Sequence, residues 1–278
     1  VWRYSLGIIL QHLEELRRSR NLLWNLTLRE LRAKYRRSLL GWAWSMLNPL
    51  SSMLIYTFVF AIVFGAEAPV GDPSGLQVYG LYLLCGILPW GFFLMVTNLG
   101  MASLIGNAGL VRKVAFARET LVFAQAIFAI VQFSIEMSLL TFALILFGSP
   151  LWPWIPVAML LMVVLGVFAT GFALAFSASA VYFRDLRYLW TIVTQMLFFG
   201  TPIIYSPDKL EGKLPGLLET LWEWNPIAVF IGEFRRMLYS GTAPHWDKMA
   251  YLVCMAALSF VAGWSIFIRL SRRVAEEL

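Results

Sequence analysis

Charge is missing from five long stretches of this chain, and their lengths constrain its fold more than any other feature. No Asp, Glu, Lys or Arg occurs between Arg37 and Glu67, between Asp72 and Arg112, or between Glu136 and Arg184. Two further charge-free stretches run from Arg187 to Asp208 and from Lys248 to Arg269. A helix of about 20 apolar residues crosses roughly 30 Å of hydrocarbon, so each stretch can span a bilayer. The third is long enough for two crossings, and Gly148-Ser149-Pro150 with Pro153 divides it. The predicted spans are residues 42–64, 77–104, 120–147, 154–182, 188–205 and 249–268. The expected fold is therefore all-α and integral to the membrane, with six transmembrane helices. Composition agrees: 60% of the 278 residues are hydrophobic and 14% are charged. A soluble domain carries about 25% charged residues and could not hide this much apolar surface.

An even number of spans places both termini on one side, and basic residues decide which. Seventeen Lys and Arg fall before span 1, in the 2–3 and 4–5 loops, or after span 6. Five fall on the opposite face: Lys209, Lys213, Arg235, Arg236 and Lys248. The positive-inside rule assigns the seventeen, and with them both ends, to the cytoplasm. The net charge of +6 is thus a topology signal, and nucleic acid is not an expected partner. Tryptophans near the predicted boundaries (Trp42, Trp44, Trp190 and Trp264 inside; Trp152, Trp154, Trp222, Trp224 and Trp246 outside) suit aromatic belts. Cys85 and Cys254 lie in apolar runs without CxxC spacing and are expected to be buried, reduced thiols. The chain opens on Val1 rather than Met, so a short preceding piece is expected. Polar residues from Gln11 to Glu15 exclude a signal peptide over the first residues.

Two segments are neither span nor ordinary loop. Within residues 1–41, Leu28, Leu31, Tyr35 and Leu39 recur at helical spacing, flanked by Arg29, Arg32 and Arg36 and by Lys34 and Arg37. This predicts an amphipathic helix in the inner interface, where basic side chains meet anionic headgroups. It serves either as a plain anchor or also to handle an anionic headgroup or a cytoplasmic partner. Residues 206–247 form the outer segment between spans 5 and 6, long for a connection without structure of its own. Ile227, Phe230, Phe234 and Leu238 make a stripe there, and Asn225-Pro226 supplies an N-cap and a first-turn proline. Two short helices, at about 214–223 and 226–240, are expected to dip into or lie on the outer leaflet.

Catalytic chemistry finds little support. His12 and His245 fall on opposite sides of the membrane, and no HExxH, GxSxG or paired intramembrane carboxylate occurs. No lysine is followed by Ser or Thr, which excludes a GxxxxGK[ST] phosphate loop. Glu136 is the one ionisable acid or base well inside a span; it is expected either to pair with Arg235 or Arg236 across helices or to act in substrate passage. Tyr56, Phe60 and Phe64 follow Met53 along span 1, and Phe198, Phe199 and Tyr205 follow along span 5. Such rings stack on varied sugars, but the same stripes also suit lipid contact or helix packing.

Several stretches taken in order carry a family resemblance. Arg29-x-x-Arg32-x-Lys34-Tyr35-x-x-Ser38-x-Leu40-Gly41-x-x-Trp44, with Pro49 beyond, resembles the start of the ABC-2 type permeases that export polysaccharides. Tyr182-Phe183-Arg184-Asp185-Leu186 looks like the family's YFRDL element, and Thr201-Pro202-Ile203-Ile204-Tyr205 resembles the end of its span 5. Asn225-Pro226 with Phe234-Arg235 is similar to its outer gate. The stretch from Asn107 through Lys113 and Phe116 to Arg118-Glu119 matches its 2–3 loop, with Ala117 where proline is usual.

The resemblance implies the membrane subunit of an O-antigen, capsule or teichoic acid exporter in the bacterial cytoplasmic (inner) membrane. It implies a homodimer joined by two copies of a separate ABC ATPase, moving a lipid-linked glycan outward among membrane lipids. ATP and Mg would sit on that partner, with no cofactor or metal on this chain. Arg112, Lys113, Arg118, Glu119, Arg184 and Asp185 would couple to the ATPase, and Arg29, Arg32 and Arg36 would receive the lipid headgroup. Tyr56, Phe60, Phe198, Phe199 and Tyr205 would line the channel, and Asn225, Pro226, Phe234 and Arg235 would form the outer gate. An ABC-2 exporter of a drug or simple lipid is the nearest alternative, with a passive channel or structural subunit behind it.

Overall fold

In a computed structural model the described residues are 19–206, apart from Tyr35, Arg37 and Ala115, then Gly216, 224–271 and 274–277. These residues are overwhelmingly helical and include no strand. Helix α1 covers Arg20–Ala33 and α2 covers Trp44–Tyr56, the latter continuing as a π-helical segment over Thr57–Val63. Helices α3 (Tyr79–Gly106), α4 (Ala108–Lys113), α5 (Glu119–Leu146) and α6 (Ile155–Tyr182) follow. Helix α7 (Leu186–Gly200) leads to the segment expected outside, where α8 (Pro226–Phe234) runs into a second π-helical segment at Arg235–Ser240. Helix α9 (Trp246–Ser271) and the short α10 (Val274–Glu277) complete the order.

Five of these elements are long and apolar enough to cross a membrane: Trp44–Val63, α3, α5, the run Trp152–Tyr182 and α9. The chain is an all-helical, multi-pass membrane protein. Predicted span 5 departs from expectation. Its helix stops at Gly200 after 15 residues, about 22 Å at 1.5 Å per residue and short of the hydrocarbon thickness. Pro202 explains the stop: proline disfavours helical backbone at Thr201, which is extended (ψ 139°), and offers no N–H of its own. The expected helix at 214–223 lies outside the described residues, apart from Gly216.

Helix α3 forms the centre, packing on α5, α6, α8 and the second π-helical segment. Phe92 of α3 stacks on Phe133 of α5 with ring centres 4.5 Å apart, and Phe93 meets both Phe168 and Phe172 of α6. Trp190 of α7 joins this group through Phe172 and Phe176, so it is a core residue rather than part of an interfacial belt. Trp152, Trp224 and Trp246 are exposed, as belt residues should be. Cys85 is buried, whereas Cys254 is exposed on α9 because only one stripe of that helix turns inward.

The most extensive pairing joins α6 to α9, and it depends on small residues. A Cβ added at Gly263 would lie 1.9 Å from the carbonyl oxygen of Gly171. One added at Gly171 would lie 2.4 Å from the backbone of Ser259, whose hydroxyl donates to the Phe168 carbonyl at 2.8 Å. The two backbones therefore touch directly, the dispersion-driven packing that membrane helices use in the absence of water.

Helix α1 packs against α5. Its buried positions are Leu26 and Thr27, with Leu22 and Leu23 against the core. The predicted stripe is displaced: Leu28 and Leu31 are half-buried, Leu39 is fully exposed, and Tyr35 lies outside the described residues. A helix held by a neighbour turns the face that fits that neighbour, whereas spacing alone assumed burial in a flat interface.

Candidate functional site

The expected conduit aromatics come together in one chain. Tyr56, Phe60 and Phe64 follow one another along α2 and its π-helical extension, with successive ring centres 6.3 and 5.9 Å apart. The wider π turn is visible in the bond from Phe64 N–H to the Val59 carbonyl, five residues back, at 3.1 Å. Phe198 of α7 reaches Tyr56 at 6.1 Å and Trp90 of α3 at 5.9 Å, and Phe199 stands edge-on to Phe198. A continuous track of rings thus runs from Tyr56 to Phe64, with Trp90 a member that the stripes in spans 1 and 5 did not reveal.

At its Phe64 end the track opens into a pocket of about 270 Å³, where Phe60 and Phe64 meet Tyr79, Tyr82, Tyr205 and Glu67. The tyrosine hydroxyls are engaged elsewhere. Tyr79 donates to the Ile204 carbonyl at 2.6 Å, Tyr82 to the Tyr205 carbonyl at 3.4 Å, and Tyr205 to the Phe199 carbonyl at 3.0 Å. Tyr79 and Tyr82 share a helix face at i, i+3 spacing, a pairing available from sequence once the end of span 2 is known. Glu67 follows the charge-free run of span 1, and nothing local in the sequence ties it to these rings.

The residues expected at the outer gate form a second constellation around the unwound turn after α7. Asn225 caps α8 by accepting from Ile227 N–H at 3.0 Å, and its amide donates to the Thr201 hydroxyl at 3.1 Å. Pro226 takes the first helical position, where a missing N–H costs nothing. Phe234 is fully buried and meets Phe133 edge-on. Arg235 is 7% exposed; its guanidinium donates to the carbonyls of Tyr82, Pro202 and Ile203 and lies 3.8 Å from the centre of the Tyr82 ring. Gly86 leaves room for it, since a Cβ there would come within 2.8 Å of the guanidinium. The carbonyls of an interrupted helix need donors, and a buried cation needs partners, so each satisfies the other.

Glu136 has neither expected partner. It accepts from Gln132 at 2.9 Å, and Lys34, at the end of α1, donates to the same Gln132 while lying 5.1 Å over the Phe128 ring. Arg235 is held by carbonyls, and Arg236 donates to the Ala243 carbonyl. The reason is local: Gln132 sits one turn from Glu136, and the docking of α1 on α5 brings in a nearer cation. Glu136 also lines an apolar cleft of about 410 Å³ between α2, α3 and α5, with Met53, Leu54 and Leu84 among its walls.

The charged loop residues divide into two groups. Arg112 and Lys113 on α4, and Arg184 and Asp185 in the turn before α7, are exposed and accessible to a partner. Arg118 donates to the Ser271 carbonyl at the end of α9, and Glu119 is buried at the start of α5, so both tie the loop to the bundle. Arg29, Arg32 and Arg36 are exposed; Arg29 pairs with Glu30 at 2.7 Å and donates to Asn107 at 3.0 Å, fixing α1 to the end of α3.

Comparison with known proteins places this arrangement. Residues 21–239 match the family described as ABC-2 type transporter. An O-antigen export system permease protein RfbA of Klebsiella pneumoniae is 27% identical over 254 residues, covering 91% of this chain and 93% of that protein. The protein of the same name from Myxococcus xanthus is 26% identical over 266 residues, covering 95% and 98%. The polysialic acid transport protein KpsM of Escherichia coli is 22% identical over 252 residues, covering 87% and 90%.

Proposed function

The chain belongs to the ABC-2 type transporter family, and we propose that it is the permease of an ATP-driven exporter of lipid-linked polysaccharide. The observation that carries this reading is end-to-end similarity to O-antigen export permeases, joined to a ring track that ends in an outer pocket. Aromatic faces slide along sugar rings without fixing one sugar, as a conduit for a long chain requires. The protein acts as a homodimer in the bacterial cytoplasmic membrane, with one ATPase per copy; α7 and the turn after it together make the sixth crossing that leaves both termini inside. Hydrolysis takes place on that separate subunit. Exposed Arg112, Lys113, Arg184 and Asp185 receive its movement, and Arg29, Arg32 and Arg36 attract the substrate phosphate at the inner interface.

Deleting the gene in its host and assaying surface glycan tests the export reading. Glycan should disappear from the surface, accumulate inside on its lipid, and return with the wild-type gene. Undiminished surface glycan after deletion would sink it. Mass spectrometry of lipid bound to the purified complex separates a glycan carrier from a drug or simple-lipid exporter.

A further inference from the structure

We propose that the outer pocket bounded by Phe60, Phe64, Tyr79, Tyr82, Tyr205 and Glu67 is a sugar subsite that admits neutral or amino sugars and disfavours acidic ones. The proposal rests on the export reading and adds a substrate class to it. Three observations lead here. First, Phe64 is exposed and Phe60 and Tyr205 are half-buried, so these rings keep surface to meet a ligand, while Tyr79 and Tyr82 are buried behind them with their hydroxyls bound to backbone. Its volume of about 270 Å³ suits a sugar ring or two rather than a whole chain.

Second, Glu67 is the one charged residue lining it among the described residues, and it has no ion pair or hydrogen bond to any of them. A carboxylate beside aromatic walls accepts hydroxyl protons and attracts an ammonium, while it repels a sugar carboxylate. Third, both π-helical segments converge on this place. Phe60 belongs to the first, and Tyr239 of the second stands edge-on to Tyr82 with ring centres 5.5 Å apart. Interruptions of this type recur at functional sites because they re-aim side chains that an α-helix would turn away.

Saturation-transfer NMR on the full chain in lipid nanodiscs tests the subsite, with maltohexaose, a glucosamine hexamer and a sialic acid hexamer as probes. Wild type should bind the first two and bind the sialic acid hexamer least. Glu67→Gln should narrow that gap by about two- to fivefold, the scale of one exposed charge contact. Phe64→Ala, at an exposed ring, should weaken all three probes together. Equal binding of the probes by wild type, or an unchanged preference in Glu67→Gln, would overturn the subsite. Either failure is distinct from that of the export reading, which the deletion strain decides without reference to this pocket.

Discussion

The centre of the molecule and its flank are built on different terms. Helices α3 and α6, with the outer segment from Asn225 to Ser240, bury much of their side-chain surface and lock together through Phe92, Phe93, Phe230 and Phe234. Helices α2 and α7 leave most of their apolar surface exposed, from Leu54, Phe58 and Ile62 on one to Ile192, Met196 and Phe199 on the other. Yet α2 and α7 carry Tyr56, Phe60, Phe198 and Phe199, which make up most of the ring track. Packing and the ring track therefore draw on different elements. The elements least committed to the bundle are the ones free to face lipid, a second copy or a passing substrate.

The strongest way to break this contrast is through Arg235. Arg235→Leu removes donors from three buried carbonyls, each worth about 1–3 kcal/mol when left unpaired, so a loss of roughly 3 kcal/mol or more is expected. Thermal unfolding in detergent should fall sharply; a melting point within error of wild type would mean that the turn after α7 does not depend on it. Next comes Gly263→Val, which forces α9 off α6 at an overpacking cost of about 1–3 kcal/mol. The same melt reads it, and Ala262→Val one position away should be milder.

Glu136→Leu tests a smaller polar contact, the one joining α1 and α5 through Gln132. About 1 kcal/mol should be lost, with faster hydrogen exchange in α1 as the specific sign. Tyr56→Ala combined with Phe60→Ala should cost least in stability, roughly 1 kcal/mol or less at these half-buried positions. It should nonetheless shorten or slow exported glycan, read as the chain-length distribution at the cell surface. A large drop in melting temperature with normal export would reverse the contrast between centre and flank.

Long apolar runs made the long spans legible, because length, charge and proline breaks report directly on what a bilayer accepts. Observed α3, α5 and α6 begin and end within two residues of the expected spans at 77–104, 120–147 and 154–182. The Asn225-Pro226 helix start was equally readable, since capping is a local matter. Partner choice was not. Glu136 meets Gln132 rather than Arg235, and α1 buries Leu26 in place of the Leu28–Leu31 stripe, because both depend on which helices become neighbours. Glu67 escaped notice for the same reason: its surroundings come from residues 60, 79, 82 and 205, and only the folded chain brings these together.

The glycine contact between α6 and α9 also bears on how the chain is assembled. Synthesis from the N-terminus makes α6 before α9, so the face around Gly171 exists before the helix that fits it. When α9 arrives, it can seat only where Gly263 comes level with that face, since neither position tolerates a Cβ. A slip of one helical turn would present Phe267 or Ser259 to the same carbonyl, each carrying a Cβ, and be refused. The contact thus serves as a registration key: lateral diffusion of the later helix ends in a single docked position, and the displaced lipid contributes to the driving force.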